Sequence, residues 1–417
     1  MTDARAAGDL SGATIIAGGR VLDPSRGVDV VADLAIRDGF ILGTGDYMGR
    51  LDSSAARVID ASGLLVVPGL VDMHTHLFHT VPNPDAWAGE NSVPPDAFSF
   101  RSGVTTMVDA GSAGWRNFDY FRVTVIERAK TRVFAFVNIA SYGMLNDIIE
   151  QHAPDFDAEA TARAVARNED VAVGIKSAHY WRPDWASVDR AVDAGEKSKR
   201  PVMVDFGYFM KERPYWRLVS EHLRPGDIST HCFRGPVPTA DEAGRVYPYL
   251  WEARRRGVLF DLGHGGGSFL FRNAVPAFRE GFYPDVISTD LHVQSMNAAM
   301  MDMPTTMSKC LALGMPLSEI IAAATFRPAR AIGHAELGTL FPGTAADVAV
   351  FDIRKGTFGF ADSVGGRIEG AERFECEMTF RNGTVVWDRN ARAASDYRTL
   401  PGNAGIREGE YLIPPVS

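Results

Sequence analysis

Eight apolar runs, each ending in a small, polar or titratable residue, restrict what this chain can fold into more than any other feature. The first contains Leu64-Leu65-Val66-Val67 and Leu70-Val71 and ends in His74-Thr75-His76. The others occupy residues 104–111, 133–139, 171–176, 201–205, 227–231, 258–264 and 286–290. Their ends fall roughly 26–40 residues apart, the length of a strand–helix unit. Amphipathic segments lie between them, as at 185–197 and 240–256, where apolar residues recur with helical spacing. Eight such units predict an α/β fold, a closed TIM-like (β/α)8 barrel rather than an open sheet.

The flanks have a different texture. Residues 13–66 alternate apolar and polar positions between Gly and Asp turns, the pattern of short antiparallel strands. The same texture returns at 346–352 and 378–387, the latter a hairpin around Asn382-Gly383. The predicted organisation is a small β-sandwich domain formed by both chain ends, 1–66 plus 346–417. The barrel, 67–345, is inserted between them.

Composition removes several classes of function. A formal net charge of −9 with no basic block argues against nucleic acid as a partner. No stretch approaches the ~18 consecutive apolar residues of a membrane span, and the first residues lack a signal-peptide pattern. Cys232, Cys310 and Cys376 are too few and too scattered for a disulfide framework, which fits a cytoplasmic protein. The partner expected is a small-molecule substrate, and a homo-oligomer is left open.

In a barrel of this type, chemistry sits at the C-terminal strand ends. Those ends carry His74, His76, Asp109, Asn138, Lys176, Asp205, His231, His264 and Asp290. Side chains alternate along a strand, so His74 and His76 point the same way, a geometry suited to two imidazoles on one metal ion. Desolvating so many polar groups together is costly unless a metal or a network pairs them. Asp290 is the candidate for proton transfer. His264, in Gly263-His264-Gly265-Gly266-Gly267, is read as a substrate contact. His179 and Arg182 follow the fourth strand, and Arg182 could fork onto a substrate carboxylate. His79 and Tyr142 are pocket candidates by position. The methionine-rich stretch 296–307 is read as packing.

These motifs resemble those of the amidohydrolase superfamily. The resemblance rests on Pro68-Gly69-x-x-Asp72-x-His74-x-His76, Asp109-Ala110-Gly111, Lys176, Gly226-Asp227-Ile228-Ser229-Thr230-His231, Phe260-Asp261-Leu262-Gly263-His264 and Ile287-Ser288-Thr289-Asp290. Within the superfamily the chain is similar to the dihydroorotase-like amidohydrolase and deacetylase branch, over nearly its whole length. The resemblance implies hydrolysis at a centre of one or two divalent ions, zinc by default, with manganese or iron as alternatives. It implies His74, His76, Lys176, His231 and Asp290 as ligands, with Lys176 N6-carboxylated. Burial that depresses a lysine pKa makes such an addition of CO2 chemically reasonable.

Two departures stand out. Where the family has a histidine at the end of strand five, this chain has Asp205. Asp205 either ligates as a carboxylate, holds a water in a one-metal site, or marks a lost second site. Two divalent ions against carbamate, Asp290 and hydroxide leave one net positive charge, which ligation by Asp205 would neutralise. Direct ligation is the reading adopted. The second departure is Ser177-Ala178-His179-Tyr180-Trp181-Arg182, where the family has a short basic stretch.

The predicted function is hydrolysis of a small amide, cyclic amide or acyl ester by metal-bound hydroxide, with Asp290 shuttling the proton. The alternatives are a lactonase or deaminase on the same scaffold, and a catalytically weak homologue with a binding or assembly role.

Overall fold

The structure is a computed structural model that describes residues 10–48, 56–79, 91–407, 409 and 410. At the N-terminal end lie β1 (Thr14–Asp23), β2 (Val28–Arg37), β3 (Phe40–Gly45), β4 (Arg57–Asp60) and β5 (Leu65–Pro68). The middle of the chain supplies β6 (Leu70–Thr75), β7 (Val104–Gly114), β8 (Arg132–Asn138), β9 (Ala172–Ser177), β10 (Val202–Val204), β11 (Ile228–Ser229) and β12 (Leu259–Phe260). The chain closes with β13 (Val348–Ala361), β14 (Arg367–Arg381) and β15 (Thr384–Asp388).

β6 to β12 form one parallel sheet in chain order. Two isolated parallel bridges, Asp261 with Val286 and Thr75 with Leu291, wedge residues 286–291 between β12 and β6. Hydrogen bonds from Gly265 to the Thr289 carbonyl and from His76 to the Leu291 carbonyl complete the closure. The eight expected runs are therefore arranged as a barrel, but the eighth is not a regular strand. Asp290 has φ 51°, which breaks the extended backbone that a ladder requires.

The chain ends meet in a second sheet of order β15-β14-β13-β5-β1-β2-β3, with β4 against β1. β5 pairs with both β1 and β13, so it joins the N-terminal strands to the C-terminal ones. The sheet buries Ile16, Leu34, Ile59, Val66, Val348 and Phe380 in one apolar cluster. Asn382 (φ 47°) and Gly383 (φ 74°) form the tight turn between β14 and β15, as a two-residue hairpin requires.

Helices cover the barrel. The segment 185–197 folds as the helix Ala186–Ser198, which buries Val188, Ala191 and Ala194. Of 240–256 only Pro248–Arg256 is helical. Pro248 occupies the first turn, where its missing N–H costs nothing. The preceding residues instead fold round Asp241, whose carboxylate accepts from the N–H groups of Ala243 and Arg245. Met300, Met303 and Met307 are buried in the main apolar cluster, as packing predicts. Among the described residues, no helix is long and apolar enough to cross a membrane.

Candidate active site

The C-terminal strand ends surround a cavity of about 900 Å³. β6 delivers His74 and the loop after it His76; the residues following β9, β10 and β11 deliver His179, Asp205 and His231. His179, His231 and Asp290 all have left-handed backbone, at φ 51°, 58° and 51°. Such angles are uncommon for residues with a Cβ and occur where surrounding structure enforces them. Here they turn the chain sharply out of the strands and aim three side chains into one space. Gly265 supports this at Asp290: a Cβ there would stand 2.2 Å from Asp290 Oδ2.

One half of the cavity floor is a compact donor group. A nitrogen each of His74 and His76 and one Asp290 oxygen lie within 4.8 Å of one another. His76 Nε2 is 3.1 Å and His74 Nε2 3.5 Å from Asp290 Oδ1. The tautomer of His74 follows from its far side. Thr230 donates its hydroxyl to Asp261 at 2.7 Å, so its oxygen accepts from His74 Nδ1 at 2.9 Å. His74 Nε2 is then a bare lone pair facing the cavity, the arrangement of a metal-ligating imidazole with a backing carboxylate. Burial holds His74 neutral, at about 3. Burial alone would raise Asp290, but His292 and His76 beside it outweigh that and hold the carboxyl below its ordinary range.

Lys176 lies behind this group, fully buried. Its Nζ is 3.4 Å from His74 Nε2 and 3.4 Å from Met203 Sδ, and among the described residues no carboxylate oxygen is within hydrogen-bond distance. Desolvation lowers its pKa, and only more distant carboxylates oppose that. A buried amine without an acid partner is a poor place for a permanent cation.

The other half is a chain of pairs. Asp205 Oδ2 lies 3.1 Å from His179 Nε2 and 3.3 Å from His231 Nε2. His179 Nδ1 is 3.0 Å from Glu150 Oε2. Burial opposes charge on His179, but Glu150 and Asp205 prevail and raise its pKa well above the usual value. His231 spends Nδ1–H on the Gly263 carbonyl at 2.6 Å. Its Nε2 faces Asp205 Oδ2, a contact that either a proton or a metal ion can bridge. Asp205 Oδ1 accepts from Gly207 N–H at 2.9 Å, with Arg234 Nη1 at 3.4 Å.

The donor types of the first half, imidazole nitrogens with a carboxylate, fit a divalent ion, and His231 with Asp205 offers the same types beside the charged His179. His74, His76, His179, Asp205, His231, Asp290 and His79 line the cavity. Three residues expected there stand elsewhere. His264 is fully buried and hydrogen-bonded by Lys309 Nζ at 2.7 Å, because its glycine-rich turn sends the ring inward onto Phe269. Arg182 is exposed and engages Arg213 only through its carbonyl. Tyr142 lies in a separate shallow pocket beside Trp115. Sequence reasoning missed Glu150, Arg234 and His292, which lie beyond the strand ends in loops and helices where no run marks them. It quoted Asp261 only as part of a motif, without its role behind His74.

A model of the amidohydrolase family matches residues 271–386. A deacetylase of Brucella anthropi is 34% identical over 345 residues, covering 81% of this chain and 83% of that protein. A deacetylase of Agrobacterium fabrum is 35% identical over 314 residues, 74% of this chain and 75% of that one. Among solved structures, an adenine deaminase (27% identity, TM-score 0.78) and a dihydroorotase (29%, 0.77) each match 90% of this chain and 99% of their own. The barrel, the strand-end histidines and these likenesses together define a metal-dependent class of hydrolase. This chain belongs to the amidohydrolase family.

Proposed function

We propose that this enzyme hydrolyses a small acyl compound carrying a carboxylate, an N-acyl or cyclic amide first and an acyl ester second. The observation that carries the reading is the His74, His76 and Asp290 donor group in the cavity at the strand ends. These three would hold one divalent ion, zinc before manganese or iron. Lys176 would join them as a carbamate, formed when its neutral amine adds CO2 and releases a proton. His231 and Asp205 would face a second ion, with Asp205 in the place of the family's histidine. A bound divalent ion supplies Lewis acidity toward a carbonyl oxygen and toward water.

The chain's own residues do the rest. Asp290 takes a proton from the attacking water and delivers it to the leaving nitrogen or oxygen. Among the described residues Arg234 is the Lys or Arg side chain that lines the cavity, and it is about a third exposed. Its forked donors are placed for a carboxylate, the role expected of Arg182. His179, held charged between Glu150 and Asp205, fixes the second half of the floor.

The test is a screen of N-acyl amino acids, hydantoin-like rings, lactones and adenine, with ammonia release followed in parallel. Metal content is counted for the wild type and Asp205→Ala. Turnover of acylated acids, with a KM that rises for neutral amide analogues and in Arg234→Ala, supports the reading. Ammonia release from a purine favours the deaminase alternative, which rests on the structural likeness to an adenine deaminase. One ion per chain in both proteins would overturn ligation by Asp205.

A further inference from the structure

The opposite end of the barrel carries a second cavity of about 650 Å³. Its walls are the N-terminal ends of strands, at Pro201, Asp227, Leu259 and Val286, so it is separated from the catalytic mouth by the length of the barrel. Lys199, Arg200, Arg224, Arg327 and Arg330 line it, against Glu196, Asp227 and Asp285. The chain as a whole has a formal charge of −9, so this concave excess of positive charge runs against the global sign.

Two of the three acids are already satisfied. Asp227 accepts from Val202 N–H at 2.8 Å and from Arg224 Nη2 at 2.9 Å. Asp285 accepts from Phe260 N–H at 2.9 Å and lies 3.3 Å from Arg254. Lys199 and Arg330 have no side-chain hydrogen bond or ion pair with the described residues. Arg200 and Arg327 each use one nitrogen, on the Glu169 carbonyl and on Glu319. All four side chains line the same hollow.

The hollow is also shaped from the backbone. Gly195 lies inside the helix Ala186–Ser198, where glycine is unfavourable by about 1 kcal/mol relative to alanine. A Cβ there would stand 2.4 Å from Arg224 Nη2, so the glycine makes room for that guanidinium. Lys199, which caps the helix, has φ 55°, a conformation rare for a residue with a Cβ.

We infer that this cavity binds the phosphoryl group of a small phosphorylated metabolite, at a site separate from the hydrolytic centre. Arginine forks match phosphoryl oxygens, and the volume admits a ligand of sugar-phosphate size. The site does not depend on the hydrolytic reading.

Inorganic phosphate is the probe, titrated into the purified full chain and followed by calorimetry and ³¹P line broadening. The expected result is saturable binding that weakens at least about tenfold in Lys199→Glu/Arg330→Glu. Lys199→Gln/Arg330→Gln should weaken it by less, which separates lost charge from lost folding. Arg234→Ala, in the upper cavity, should leave it unchanged. Absence of saturation by ~50 mM phosphate, equal binding in both double variants and the wild type, or loss in Arg234→Ala alone would each overturn the site.

Discussion

The two halves of the catalytic floor solve the same electrostatic problem differently. At His74, His76 and Asp290 the donor atoms converge within 4.8 Å of one another. At His179, Asp205 and His231 the contacts are sequential, with one carboxylate oxygen shared by two imidazoles and a second carboxylate, Glu150, beyond. Among the described residues, the first half is the one three-donor cluster that could hold an ion. The contrast teaches what a buried carboxylate at Asp205 does to the groups around it. A carboxylate recruits cations from its surroundings, and here it draws in His179 and Arg234. The first half gathers donor atoms at one point, whereas the second supplies much of its own charge compensation.

The largest effect expected is at Asp290. Asp290→Asn keeps the shape but removes the proton carrier and a charge, and kcat should fall about a thousandfold or more. A loss below tenfold would mean that the first half is not the reacting half. Next comes Lys176→Ala, which should lower bound metal and reduce activity by about a hundredfold. Partial rescue by added acetate or propionate would mark a carbamate, and full metal content with no rescue would reduce Lys176 to a packing group.

Asp205→Ala should cost about ten- to a hundredfold in activity while the first half retains its ion, as metal analysis would report. If Asp205→Ala instead strips all metal, the two halves are one unit and the contrast fails. The smallest effect expected is a pH signature behind Asp290. Lys309, buried against His264, has its pKa lowered by burial to about 8. The unfolded lysine binds its proton more tightly than the folded one, so between about pH 8 and 10.4 folding stability gains from rising pH. Relative to Lys309→Met, the wild type should therefore gain stability across that window in denaturant titrations and not below it. A constant difference would show that Lys309 titrates normally.

Much of this was legible along the chain. Buried parallel strands must be apolar throughout, so eight runs ending in polar residues announced both the barrel and the identity of His74, His76, Asp205, His231 and Asp290 as strand-end groups. The shortness of β11 and β12 was not legible, because the runs at 227–231 and 258–264 leave the ladder early, His231 and Gly263 having positive φ. Nor was the fate of His264. A glycine-rich end predicts close approach to a ligand, but the turn at Gly265 serves Asp290 and turns the imidazole toward Lys309.

By itself the sequence determined the fold class, the family and the set of groups at the strand ends, since periodicity and residue type act locally and survive reading in one dimension. The tertiary structure decided how those groups divide. Whether a carboxylate faces an imidazole, an arginine or an open cavity depends on loops such as those bearing Glu150, Arg234 and His292. Those loops follow no period, and residues far apart in the chain meet there because closure of the barrel brings their strand ends together.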